Sequence, residues 1–139
     1  MKQRFKELYI DIASRVAQMS YATRLKVGAI IVKDDRILSI GYNGTPSGWS
    51  NECEIREYAP DNIEIADGTY PHKEFHGEFS DQVQLYRLKT KPETIHAERN
   101  ALDKIAKSTE SSNGASLFVT HSPCLECAKS IFTTGITSV

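Results

Sequence analysis

His96-Ala97-Glu98 and Pro123-Cys124-Leu125-Glu126-Cys127 are the residues whose types and spacing can do chemistry. Cys124 and Cys127 are three apart, so one turn of helix sets both sulfurs on one face. His96 adds a nitrogen, and the three donors together suit a metal that takes four. Structural zinc sites are closed by protein. Catalytic ones leave the fourth place to water, whose pKa zinc lowers from about 15.7 to roughly 7. Glu98 follows His96 by two residues and is placed to carry that water's proton. Each part alone has a plainer reading: a structural histidine, a redox pair or half of a closed zinc site, a carboxylate answering a helix dipole. The joint pattern, with Pro123 ahead of the first cysteine, favours a catalytic zinc centre.

Several elements must position these groups. Residues 4–19 read as an amphipathic helix with Phe5, Leu8, Tyr9, Ile12, Val16 and Met19 on one face. Residues 27–33 form a short, partly β-branched apolar run, the pattern of a buried strand. Residues 36–42 return antiparallel across a tight turn at Asp34-Asp35. The turn-rich segment 41–48 follows. From about 49 to 91 the chain is polar and without clear periodicity, a length usually reserved for function or mobility. This insertion is expected to cover the site or to mediate subunit contacts. Within it, 82–88 fits either a short strand or a helical turn.

A helix is expected from Thr94 or Ile95 to about Lys107, with His96 and Glu98 in its first turn and Ala97, Ala101, Leu102, Ile105 and Ala106 on its apolar side. A loop (108–114) leads to a strand (115–120). The next helix should cover 124–134, with Pro123 in its first turn and Gly135 at its end. Residues 136–139 begin one more strand. This order predicts an α/β, three-layer α/β/α fold with a mixed central sheet, in which two helix N-termini point at one metal and favour thiolates there.

The composition narrows the function. Apolar residues make up 40% and charged residues 25%, as in an ordinary globular domain. Length predicts a single domain over 1–139, with the insertion at about 49–93. Lys plus Arg number 17 against 18 Asp plus Glu. Nucleic-acid binders usually carry a basic balance, so a small substrate fits better and no nucleic acid is expected. No apolar run approaches the ~20 residues of a membrane span. Met1-Lys2-Gln3-Arg4-Phe5 lacks an apolar signal core. A thiolate site plus the leftover Cys53 suits a reducing, cytoplasmic setting.

His-x-Glu followed by Pro-Cys-x-x-Cys is the signature of zinc deaminases. The chain resembles the cytidine deaminase superfamily and, within it, the deoxycytidylate (dCMP) deaminases. Val27-Gly28-Ala29-Ile30-Ile31-Val32 looks like their first strand, Gly41-Tyr42-Asn43-Gly44-Thr45-Pro46 like their Gly-Tyr-Asn-Gly loop, and His96-Ala97-Glu98-Arg99-Asn100-Ala101 like their His-Ala-Glu-x-Asn-Ala motif. The resemblance covers nearly all of the chain outside about 53–93. It implies hydrolysis of dCMP to dUMP and ammonia, with zinc held by His96, Cys124 and Cys127 and Glu98 as the catalytic proton carrier. It implies that Asn43 holds the deoxyribose hydroxyl, and that the Ala97 backbone with Thr120, His121 and Ser122 meets the base edge. Arg24 is the expected phosphate ligand, with Lys26 and Arg99 as alternatives. It further implies a homo-oligomer, typically a hexamer, activated by dCTP and inhibited by dTTP at a site that uses Gly41, Tyr42, Asn43 and Gly44, with Mg²⁺ accompanying the triphosphate.

Two departures from that pattern are visible. Some phage members hold a second, structural zinc with two cysteines, a His and a Glu. Here Thr94 stands at the glutamate position, Ala22 in the region of one cysteine and Cys53 near the other, while His72 and His76 are the nearest substitutes. One zinc per subunit is therefore expected. The family also continues past the strand that starts at Ile136, so the C-terminus reads as naturally short or truncated. The competing functions are a deaminase of cytidine, tRNA adenosine or another base, and a non-catalytic nucleotide-binding regulator. Glu98 argues against the regulator, since a purely structural site has no use for it.

Overall fold

A computed structural model describes residues 1–60, 68–76 and 82–139. In chain order the elements are α1 (Gln3–Ala17), β1 (Gly28–Lys33), β2 (Arg36–Tyr42), β3 (Glu54–Tyr58), β4 (His72–His76), β5 (Gln82–Thr90), α2 (Ala97–Ala106), β6 (Ser116–Val119) and α3 (Leu125–Thr133). They fall into two units, one of residues Met1–Cys53 with Pro92–Val139 and one of Glu54–Lys91.

In the first unit β1 is the central strand of a sheet ordered β2-β1-β6, antiparallel on both sides. The hairpin turns at Asp34 and Asp35, whose φ values are both positive, 51° and 58°. Such a turn matches the twist of the strands it joins. Ser138 adds a parallel bridge to Ser116, with the Leu117 N–H donating to the Ser138 carbonyl at 2.8 Å. The sheet is mixed, as the element order predicts.

The alternation of β1 builds three layers. Ala29 and Ile31 face one side and pack with Ala97, Ala101, Leu117 and Ile131. Ile30 and Val32 face the other and pack with Tyr9, Ala13 and Val16. A strand apolar on both faces needs cover on both, and each buried aliphatic side chain contributes about 1.5–3 kcal/mol. Thus α1 covers one face, and α2 with α3 the other.

The buried side of α1 is narrower than its periodicity predicts. Tyr9, Ala13, Val16 and Ala17 are buried, whereas Leu8 and Met19 are 48% and 55% exposed. The reason is Gly28. A Cβ there would overlap the Ala13 carbonyl oxygen and lie 2.6 Å from the Ala17 nitrogen. The helix rests backbone to backbone on the strand through its two alanines, which turns Leu8 away, and Met19 lies past the helix end.

Both later helices begin after the expected residues. His96 is the N-cap of α2, with extended φ −68° and ψ 153°, and Cys124 is the N-cap of α3 at −70° and 169°. Pro123 therefore precedes α3 instead of occupying its first turn. Gly135, at φ 81°, ends α3 in the left-handed conformation that glycine favours.

The second unit corrects the reading of 49–91 as aperiodic. β3, β5 and β4 form an antiparallel sheet in that order, and 82–88 belongs to a strand. Tyr86 is its centre. His72 stacks on it at 5.1 Å, Tyr58 packs at 6.0 Å, and the Arg56 guanidinium lies 4.6 Å from its ring. The alternation escapes notice in the sequence because both faces mix charges with apolar groups. Arg56 and Tyr58 share one face, Ile55 and Glu57 the other. Among the described residues no helix is long and apolar enough to cross a membrane.

Candidate metal centre

α2 is fixed to β2 along its length, and this sets the place of His96. Gly44 and Ile95 exchange backbone hydrogen bonds, the Gly44 N–H to the Ile95 carbonyl at 3.0 Å and the Ile95 N–H to the Gly44 carbonyl at 2.8 Å. Asn100 Nδ2 donates to the Tyr42 carbonyl at 2.7 Å, the buried Ser39 hydroxyl to the Ala101 carbonyl at 2.7 Å, and Lys104 Nζ to the Ile40 carbonyl at 2.8 Å. Between these bonds Gly41 lets the two backbones touch. A Cβ on Gly41 would overlap the Ala97 carbonyl oxygen and sit 2.5 Å from the Ala101 nitrogen.

The cysteines arrive from β6. Its ladder with β1 is extended by Thr120, whose N–H donates to the Gly28 carbonyl at 3.0 Å and whose hydroxyl accepts from the Gly28 N–H at 3.1 Å. The chain then turns through His121, Ser122 and Pro123 into α3.

These supports bring three donors together. His96 Nδ1 lies 3.4 Å from Cys124 Sγ and 3.3 Å from Cys127 Sγ, and the three ligand atoms all lie within 4.8 Å of one another. Around tetrahedral zinc, bonds of about 2.0 Å to nitrogen and 2.3 Å to sulfur require N···S edges of about 3.5 Å. The donor set and its span both fit zinc. His96 and Cys124 are exposed and Cys127 is buried, so the site is open on one side. Glu98, in the first turn of α2, is 4% exposed. Burial above all, with the neighbouring Glu98 and Cys124 acting in the same direction, pushes the Cys127 thiol up to about 12. A bound cation reverses that balance and holds a coordinating thiol deprotonated.

The other residues singled out in the sequence take varied places. Ala97 is fully buried against Gly41. Asn43 has both side-chain polar atoms engaged: Oδ1 accepts from the Val27 N–H at 2.8 Å and Nδ2 donates to the Leu25 carbonyl at 2.7 Å. Arg24, Lys26, His121 and Ser122 are exposed. Arg99 turns along α2 and toward α3, donating to Asp103 and Ser130. Gly41 is a packing contact within β2, whereas Tyr42, Gly44, Asn100 and Lys104 line a cavity of about 300 Å³. Thr94 donates from its hydroxyl to the Cys53 carbonyl at 3.0 Å, and Ala22 is buried. The anchoring roles of Ser39, Asn100 and Lys104 were missed in the sequence. The helical spacing of Asn100 and Lys104 marked a shared face but not the backbone carbonyls it meets.

A mixed sheet between helix layers, presenting an imidazole and two thiols at two helix starts with a buried carboxylate beside them, defines a zinc-binding deaminase type of domain. The chain belongs to the cytidine and deoxycytidylate deaminase family, whose zinc-binding region matches residues 3–139. It is 33% identical to the deoxycytidylate deaminase of Enterobacteria phage T4, across 91% of this chain and 72% of that protein. It is 34% identical to the deoxycytidylate deaminase of Mycobacterium phage D29, across 96% and 90%. Among solved structures, the dCMP deaminase of cyanophage S-TIM5 in complex with dCMP and dUMP matches with a TM-score of 0.72 and 40% identity, over 99% of this chain and 79% of that one.

Proposed function

We propose that residues 1–139 form one dCMP deaminase domain, with 49–93 as its insertion, which hydrolyses dCMP to dUMP and ammonia. The observation that carries this reading is the convergence of His96 Nδ1 with the two cysteine sulfurs, beside a buried Glu98. The relatives named deoxycytidylate deaminase, and the cyanophage structure with dCMP and dUMP, support the substrate.

Zinc, one per subunit, held by His96, Cys124 and Cys127, supplies a Lewis acid that makes water nucleophilic near neutral pH. Glu98 does the proton work. As the water oxygen bonds to C4 of the cytosine ring, its carboxylate takes one proton and delivers it to N3. It then passes the second water proton to the amino nitrogen as the C4–N bond breaks, releasing ammonia. Burial keeps competing solvent away from that carboxylate. In this reading the Ala97 backbone and residues 120–122 meet the base edge, and Arg24 receives the phosphate. Asn43 retains one N–H hydrogen and a lone pair for the deoxyribose hydroxyl while it holds the 25–27 segment in place.

The cavity beside Tyr42 and Gly44 supports a regulatory reading, in which dCTP with Mg²⁺ activates and dTTP inhibits a cytoplasmic hexamer. Lys104 offers a cation there, and the Gly44–Ile95 pair ends one residue before His96.

The test is ammonia release from dCMP, deoxycytidine and cytidine, with dCTP and dTTP added in turn. Release from dCMP alone is expected. Equal release from the nucleosides would move the substrate to another member of the family. Hyperbolic curves unmoved by either triphosphate would remove the regulation.

A further inference from the structure

Two helices carry the metal donors, and they reach the site from different strands. α2 hangs on β2, and α3 follows β6. An ion at their N-termini would join them there, and the shared core of Ala97, Ala101 and Ile131 joins them beneath. Arg99 adds a contact at the exposed surface. It follows Glu98 in the first turn of α2. Its Nε donates to Asp103 Oδ1 at 3.1 Å, one turn along the same helix, and its NH1 group donates to Ser130 Oγ on α3 at 3.3 Å. Ser130 lies three residues after Cys127, so it shares a helix face with that donor.

The geometry points to Arg99 as a positioning residue that sets the separation of the two donor-bearing helices and so tunes how tightly the centre holds zinc. This rests on the zinc reading above. Asp103 stiffens the side chain from its own helix, leaving the other arm of the guanidinium aimed across the groove. A forked, planar guanidinium can serve both acceptors at once, whereas an ammonium on a flexible stem is not pre-organised for that. It also accounts for Arg99 without assigning it to the substrate phosphate. The bonds are solvent-exposed, with side-chain exposures of 58% for Arg99 and 48% for Asp103. The effect should therefore be modest. Partners bonded directly to a metal ligand typically change metal affinity by about 10- to 100-fold, and a brace one turn away should give about threefold to tenfold.

The experiment measures zinc affinity by chelator competition for the parent, R99M, R99K, S130A and the R99M/S130A double variant, with the melting temperature of each metal-free protein as a fold control. Expected are a threefold to tenfold weaker hold on zinc in R99M, a similar loss in S130A, a smaller one in R99K and no further loss in the double variant, as for two partners of one contact. Metal-free melting temperatures should match the parent. Unchanged zinc affinity in R99M overturns the proposal. So does a loss that the metal-free melting temperatures mirror, which would mean general destabilisation, or a raised KM for dCMP at unchanged zinc affinity, which would return Arg99 to the substrate. A parent that holds no zinc would instead sink the metal reading itself.

Discussion

Gly41 and Ala97 meet backbone to backbone, and this contact sets the height of the first turn of α2 above the sheet. Any side chain at Gly41 would have to displace the Ala97–Ala101 segment. Since His96 and Glu98 flank Ala97, Gly41→Ala should act on both. The expected cost is about 1–3 kcal/mol, typical of overpacking, together with weaker zinc retention. Gly44→Ala is the control, because a Cβ there meets nothing closer than Tyr42 at 4.0 Å. Thermal denaturation and metal content of the two variants check this, and equal effects would contradict it.

Glu98→Gln keeps the shape of the buried side chain but cannot carry a proton. Zinc content and melting temperature should stay near those of the parent, while turnover falls by at least about 100- to 10,000-fold. Ammonia release at the parent rate would mean that the proton travels by another route.

Cys127 links metal binding to pH. Burial, with Glu98 and Cys124 beside it, raises its folded-state pKa from an ordinary value near 9 to about 12, so the metal-free fold holds that proton more tightly than the unfolded chain does. The contribution of this thiol to the stability of the metal-free protein is then fully present below about pH 9 and is lost as pH climbs toward 12. Zinc uptake at neutral pH must displace the proton. Adding zinc to metal-free protein in weakly buffered solution should acidify it, and denaturation curves of that protein should slip above pH 9. Zinc uptake without proton release is the contrary result.

Asn43 is tied to the backbone on both sides, at Val27 and Leu25. Asn43→Ala strands the part-buried Val27 N–H, while water can serve the exposed Leu25 carbonyl, and should cost about 1 kcal/mol. Asn43→Asp keeps the acceptor for Val27 and should cost less. Urea denaturation ranks them. If neither loses stability, these bonds do not hold the segment, and any loss of activity would come from substrate contact alone.

Residue spacing made much of the centre legible. The three-residue spacing of Cys124 and Cys127 set both sulfurs on one side of a helix start, where His96 meets them from another. The apolar run at Ala29–Val32 could be satisfied only by cover on both faces, which is the three-layer arrangement. The helix starts were misplaced by one to three residues because His96 and Cys124 adopt extended N-cap backbone, which residue type alone does not announce. The β3-β5-β4 sheet was hidden because Arg56 and Tyr58 on one face and Ile55 and Glu57 on the other blur the contrast that alternation needs. The anchoring by Ser39 and Asn100 joins residues 62 and 58 positions apart, so no local pattern carries it.

Gly28 and Gly41 give the first unit an unusual kind of gauge. On each face a helix is seated by main-chain atoms, whose dimensions do not vary with residue identity. The thickness of the layer beneath the zinc donors is thereby insulated from changes among the larger aliphatic side chains nearby. An exchange such as Ile31→Val or Leu117→Met can loosen the interior without altering the distance at which His96 is presented.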